Sequence, residues 1–207
     1  MRTDGLIFDL DGTLWDTSET CALAWNDVLA RLGVAHRAMT GDDVRAVTGQ
    51  PHAEAIRRAF QLDEADLLRV IEETALEDNR AIAKRGGALY PGVPETIPLL
   101  ATHVPLFIVS NCQRGYIETF LACSGLASSF VDFECWGNTL RDKTENVRRV
   151  IERNGLRSPW FVGDTDGDRA AARGNGLRFA HVRWGFGALD DFDVRLDRFD
   201  ELRALLE

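Results

Sequence analysis

The apolar run Leu6-Ile7-Phe8 opens directly onto two carboxylates, Asp9 and Asp11, and no other stretch constrains the fold of this chain so tightly. Three consecutive large apolar residues read as a strand buried on both faces, and residues two apart on an extended chain point the same way. Asp9 and Asp11 therefore come together where the strand ends. Like charges that close repel, so a shared proton or a bound cation must offset them, which suits an active site better than a core. Asp11-Gly12 taken alone reads equally well as a turn dipeptide, but a turn leaves Asp9 unexplained.

Further apolar runs at residues 104–109, 161–162 and 179–182 predict more strands of one parallel sheet, with helical stretches such as 144–153 and 168–173 supplying crossovers. Ligands of open parallel sheets gather at the carboxyl ends of the strands, which places Asp9, Asp11, Ser110 and Asp164 along one rim. Between the first acids and Tyr90 the pattern is helical throughout. Ala22, Trp25, Val28, Leu29 and Leu32 share one face of a helix that Gly33 ends, and further helices are expected at 42–47, 51–60 and 63–84, before Gly86-Gly87. The predicted fold is α/β: a Rossmann-like parallel sheet core of residues 1–15 and 89–207, with an inserted all-helical domain of residues 16–88.

The stretch Asp9-Leu10-Asp11-Gly12-Thr13-Leu14-Trp15-Asp16-Thr17 resembles the first motif of the haloacid dehalogenase-like hydrolase superfamily, phosphoglycolate phosphatase-like members with a helical cap in particular. Leu106 to Asn111 is similar to the second motif, Lys143 is the candidate for the third, and Gly163-Asp164-Thr165-Asp166-Gly167-Asp168 is similar to the acidic fourth. The resemblance spans nearly the whole chain. It implies that Asp9 is a nucleophile forming an aspartyl-phosphate and that Asp11 acts as general acid and then base. It further implies Mg²⁺ between the side chains of Asp9 and Asp164 and the backbone carbonyl of Asp11, with Asp168 orienting the metal's water shell from just outside. Thr13, Ser110, the Asn111 amide and Lys143 would hold the phosphoryl oxygens. Lys143 lacks the proline that often follows this lysine in the family, and Arg141 is the fallback cation.

Residues 16–88 then correspond to a cap, and Arg45, Gln50 and His52 are candidates for reading the leaving group from the break at Thr48-Gly49-Gln50-Pro51. Arg114 reads as an exposed arginine. His36, His52, His103 and His181 lack metal-ligand spacing, and Trp15 is expected to pack between core and cap. A small phosphomonoester is the expected substrate. A dehalogenase has no use for Asp11 with Asp164, a mutase of the β-phosphoglucomutase kind typically keeps a histidine where Thr20-Cys21-Ala22 stands, and a non-catalytic relative would be expected to lose part of the set.

A net charge of -9 argues against nucleic acid as a partner, because phosphate backbones need clustered positive charge. The four cysteines, Cys21, Cys112, Cys123 and Cys135, show no paired spacing and read as free thiols. An early first strand leaves no room for a signal peptide, and no apolar run reaches membrane-spanning length, so the expected location is cytoplasmic, away from membranes.

Overall fold

The computed structural model describes residues 3–206. In chain order the elements are β1 (Leu6–Phe8), β2 (Trp15–Asp16), α1 (Ser18–Leu32), α2 (Gly41–Arg45), α3 (His52–Ala59), α4 (Glu64–Arg85), β3 (Ala88–Leu89), α5 (Val93–Ala101), β4 (Leu106–Ser110), α6 (Tyr116–Ser124), β5 (Phe130–Cys135), α7 (Trp136–Thr139), α8 (Lys143–Asn154), β6 (Trp160–Gly163), α9 (Asp166–Gly174), β7 (Arg178–Val182) and β8 (Val194–Leu196). Short 3₁₀ helices at Ala127–Ser129 and Phe199–Leu206 complete the chain.

The large sheet has the order β5-β4-β1-β6-β7-β8, and every pair in it is parallel. Parallel strands covered on both faces need apolar residues at consecutive positions, and Leu6, Ile7 and Phe8 are all fully buried. Ile7, Phe107, Phe161 and Phe179 pack on one face with Val147 and Val150 of α8 and Ala171 and Ala172 of α9. Leu6, Phe8, Leu106 and Ile108 face the other way, towards Ile97 of α5, Ile117 of α6 and the C-terminal 3₁₀ helix. Burying each such side chain contributes about 1.5–3 kcal/mol, so the two faces together hold the sheet as a three-layered core. The chain leaves β1 for β4 and β5 on one side and for β6, β7 and β8 on the other. The crevice at that reversal is where open α/β sheets bind ligands.

Two strands of the large sheet escape the sequence pattern. β5, Phe-Val-Asp-Phe-Glu-Cys, lies at an edge and carries acids, with Arg153 paired to Asp132 and Glu134, and β8 is only three residues long. Both are masked by the charged and short character that edge strands commonly have. The strand expected from residue 104 begins at Leu106, because Pro105 has no N–H to give the ladder and only its carbonyl is used, by Leu6 N at 3.1 Å.

Between β2 and β3 all regular structure is helical, and those two strands pair antiparallel where the chain leaves and re-enters the sheet region. The expected boundaries at residues 15/16 and 88/89 both fall inside this ribbon. Gly33 ends α1 at φ +69°, as the sequence indicates. The buried residues of α4 are Leu67, Val70, Thr74, Asp78 and Ile82, an inward stripe interrupted by two polar side chains.

Candidate active site

Four segments converge at the carboxyl ends of β1, β4 and β6. β1 delivers Asp9, which is 2% exposed, and Asp164, which is fully buried, follows directly on the end of β6. Asp168 stands in the first turn of α9, where Thr165 and Asp168 form a reciprocal capping box. Lys143 is the first residue of α8, behind the N-cap Asp142, and its Nζ donates to Asp9 Oδ1 at 2.6 Å and to Asp168 Oδ1 at 2.7 Å. Carboxylate oxygens of Asp9, Asp164 and Asp168 all lie within 4.8 Å of one another.

Three carboxylates and one ammonium leave two formal negative charges among buried side chains. Burial, with Asp168 beside it, pushes the Asp9 carboxyl well above its ordinary range, against the pull of Lys143. Asp164 rises to about 7 through burial and Asp168, even though the Phe186 and Gly187 amides and Lys143 work against the shift. Burial disfavours the Lys143 ammonium, but Asp168 and Asp9 more than reverse this and hold its pKa above the ordinary lysine range. The lysine therefore stays charged, and the excess acid is what lacks compensation. An all-oxygen set of hard carboxylates short of positive charge fits a divalent cation such as Mg²⁺.

Asp11 stands apart from this cluster. Its Oδ1 accepts from Tyr116 Oη at 2.7 Å and from Thr17 Oγ1 at 3.2 Å, and burial raises its pKa to about 6 against those two bonds. Ser110, 4% exposed at the end of β4, lines the same cavity as Asp9, Asp11, Asn111 and Lys143. Thr13 is fully buried and donates to Asp164 Oδ1 at 3.3 Å, so its hydroxyl is engaged with the acid. Asn111 reaches away from the sheet: its Nδ2 donates to Gly49 O at 2.8 Å, tying the end of β4 to the helical segment. Asp168, expected just outside the ion's ligands, falls within the close group of three acids. Arg141 and Arg114 are exposed, and neither lines the cavity.

Some contributors were not anticipated. Tyr116 comes from α6. The loop Trp184-Gly185-Phe186-Gly187 after β7 wraps Asp164, with Phe186 N donating to its Oδ2 at 2.7 Å and Gly187 N at 3.3 Å, while Trp184 Nε1 donates to Thr13 O at 3.0 Å. A Cβ on Gly185 would lie 2.3 Å from Asp164 Cβ, and one on Gly12, at φ +86°, 2.6 Å from Asp164 Oδ2. Only glycine allows the two loops to close on the carboxylate. The Gly-Phe-Gly pattern two residues beyond the end of β7 was the available signal.

On the helical side, His52 and Gln50 line the cavity and Arg45 does not; its guanidinium pairs with Asp16, Asp42 and Glu19. Trp15 packs edge-on against Tyr116 and Phe120, in keeping with the expected packing role. His36 and His103 are exposed, and His181 is buried in the core.

A family model for haloacid dehalogenase-like hydrolases matches residues 6–182, a range that holds Asp9, Asp11, Ser110, Lys143, Asp164 and Asp168 but stops short of the loop at residues 184–187. The chain belongs to that family. A phosphoglycolate phosphatase of Agrobacterium fabrum is 30% identical over 214 residues, covering 97% of this chain and 91% of that protein. A 5'-nucleotidase of Pseudomonas aeruginosa is 25% identical over 204 residues, covering 92% and 87%. A haloacid dehalogenase-like hydrolase of Streptococcus pneumoniae shares the fold with a TM-score of 0.86 at 19% identity, covering 99% of each chain. Haloacid dehalogenase-like membership and the run of phosphatase relatives make this chain a phosphatase-type hydrolase. Among the described residues no helix is long and apolar enough to cross a membrane.

Proposed function

We propose that the protein is an Mg²⁺-dependent phosphatase that hydrolyses a small phosphomonoester through a phosphorylated Asp9. The observation that carries this reading is the close group of Asp9, Asp164 and Asp168 with Lys143 bonded to two of them. The ion would be held by the Asp9 and Asp164 side chains and the Asp11 carbonyl, and when bound it supplies positive charge against the phosphoryl oxygens.

The chain's own residues supply the rest. Asp9 attacks phosphorus, splitting one difficult displacement into two. Asp11, held by Tyr116 and Thr17 outside the acid cluster, gives its proton to the leaving alcohol and then takes one from the water that opens the acyl-phosphate. Ser110, the Asn111 amide and Lys143 hold the phosphoryl oxygens, and Lys143 adds a fixed charge where negative charge builds. Thr13 and the Phe186 loop keep Asp164 in one orientation, and Asp168 anchors Lys143. Residues 16–88 form a cap over the site, tied to the core by the Asn111 to Gly49 bond, so that water and bulky molecules are excluded. Four free thiols are in keeping with work in a reducing cytoplasm.

The test is release of p-nitrophenol from p-nitrophenyl phosphate with and without Mg²⁺. Turnover is expected only with the ion and is expected to vanish in Asp9→Asn, a nearly isosteric change that removes the nucleophile while leaving circular dichroism unchanged. Turnover retained by folded Asp9→Asn overturns the assignment, and no turnover by the folded wild type favours a binding protein on this fold.

A further inference from the structure

The cavity above the acids, about 70 Å³, has a second wall made by the helical segment, and that wall holds a group of buried polar side chains with no part in the chemistry above. Asp78 of α4 is 3% exposed, and it lines the cavity together with His52, Trp25 and Cys21. Its Oδ2 accepts from Trp25 Nε1 at 3.3 Å, and its Oδ1 is buried without a partner. Leaving a buried polar atom without a partner is costly, which an acid kept only for structure would have no reason to incur.

The hydrogen bonds fix the state of the neighbouring imidazole. Thr74 Oγ1 donates to Val70 O at 2.6 Å, so towards His52 Nε2, at 3.0 Å, it accepts, and His52 carries its proton on Nε2. The Nδ1 lone pair is thereby turned to Asp78 Oδ2, 3.7 Å away. Burial lifts the Asp78 carboxyl to about 8 and lowers the imidazole to about 4, so near neutral pH this wall presents an uncharged acid and an uncharged ring. The one side-chain cation among the described residues lining the cavity is Lys143, already bonded to Asp9 and Asp168. Arg45, the nearby candidate, is taken by three acids.

We propose that Asp78, with His52 beside it, is the specificity determinant of the site, and that the substrate is a small phosphomonoester whose leaving alcohol carries neutral hydroxyl groups and no carboxylate. This rests on the phosphatase reading above. A neutral carboxyl both donates and accepts, as an alcohol does, so one hydroxyl satisfies the free Asp78 oxygen. A carboxylate-bearing leaving group such as glycolate would enter a space walled by acids with no free cation to receive it, and would be rejected for want of a partner.

The experiment compares wild-type kcat/KM for glycerol 3-phosphate and 2-phosphoglycolate, with p-nitrophenyl phosphate as reference. Glycerol 3-phosphate is expected to be favoured at least tenfold. Asp78→Leu is expected to raise its KM about tenfold, and Asp78→Asn, which keeps an acceptor for Trp25 and both hydrogen-bonding senses, to recover most of that loss. Equal or reversed preference, turnover of neither ester, or an unchanged KM in folded Asp78→Leu overturns the proposal, and the wild-type comparison decides it even where the leucine variant fails to fold. If p-nitrophenyl phosphate is hydrolysed while the preference is absent, this inference alone falls; if the wild type hydrolyses none of the three, the phosphatase reading falls and this one with it.

Discussion

The floor and the ceiling of the cavity bury acids in different company. On the floor, Asp9, Asp164 and Asp168 crowd within 4.8 Å, and although burial raises Asp9 and Asp164, a lysine and backbone amides pull against that rise, so charge is set against charge. On the ceiling, Asp78 has an indole N–H on one oxygen and nothing on the other, and burial answers its charge by favouring the proton. The floor is suited to an ion and a phosphoryl dianion, which need concentrated charge. The ceiling is suited to a neutral group, which needs hydrogen bonds.

The sharpest way to break the contrast is to remove the floor's fixed cation. Lys143→Ala is expected to lower kcat by roughly 10²–10³-fold, the usual cost of losing a positioned charge in a dry site. It should also lower the melting temperature, because Asp9 and Asp168 lose their shared partner. Arg141→Ala, at an exposed position outside the cavity, should change kcat less than twofold, and a larger loss there than in Lys143→Ala would move the cation assignment. Steady-state kinetics and a thermal melt read both variants.

A smaller effect is expected from the loop behind Asp164. Gly185→Ala pushes a methyl group into the Asp164 side chain and should cost roughly tenfold in kcat by turning that carboxylate, with the apparent affinity for Mg²⁺ falling in parallel. Unchanged Mg²⁺ dependence would show that the loop does not set the acid's orientation.

The ceiling should announce itself in stability against pH. In the unfolded chain Asp78 loses its proton above about 4, while in the fold it holds it to about 8. Its contribution is therefore full below about pH 4 and is lost as the pH climbs to 8. Asp78→Asn removes that loss, so the variant's melting temperature should gain on the wild type by a few degrees between pH 4 and pH 8. His52 acts in the other window, withdrawing stability as the pH falls from 6.5 towards 4, and it does so in both proteins alike. A constant difference across the range would mean that Asp78 is charged in the fold.

Much of this molecule is legible in the letters. Consecutive buried residues such as Leu6-Ile7-Phe8 read as the middle of a covered sheet, and a parallel sheet carries its ligands at the carboxyl ends, so Asp9, Asp11, Ser110 and Asp164 could be placed along one rim from the letters, whereas Lys143 came only from the resemblance to the family's third motif. The helices α1 to α4 follow from spacing that is local to each. Edge strands β5 and β8 were not legible, because their charges and brevity erase the apolar pattern.

What local pattern could not supply was the company each acid keeps. Tyr116 meets Asp11 across 105 residues, the Phe186 loop meets Asp164 across 22, and Trp25 meets Asp78 across 53. The stripe Leu67, Val70, Thr74, Asp78, Ile82 marks an acid facing inward, but not whether a lysine, a metal or only a proton waits there. Periodicity is a property of neighbouring residues, whereas the protonation state of a buried acid depends on every group packed around it, and those groups arrive by folding from distant parts of the chain.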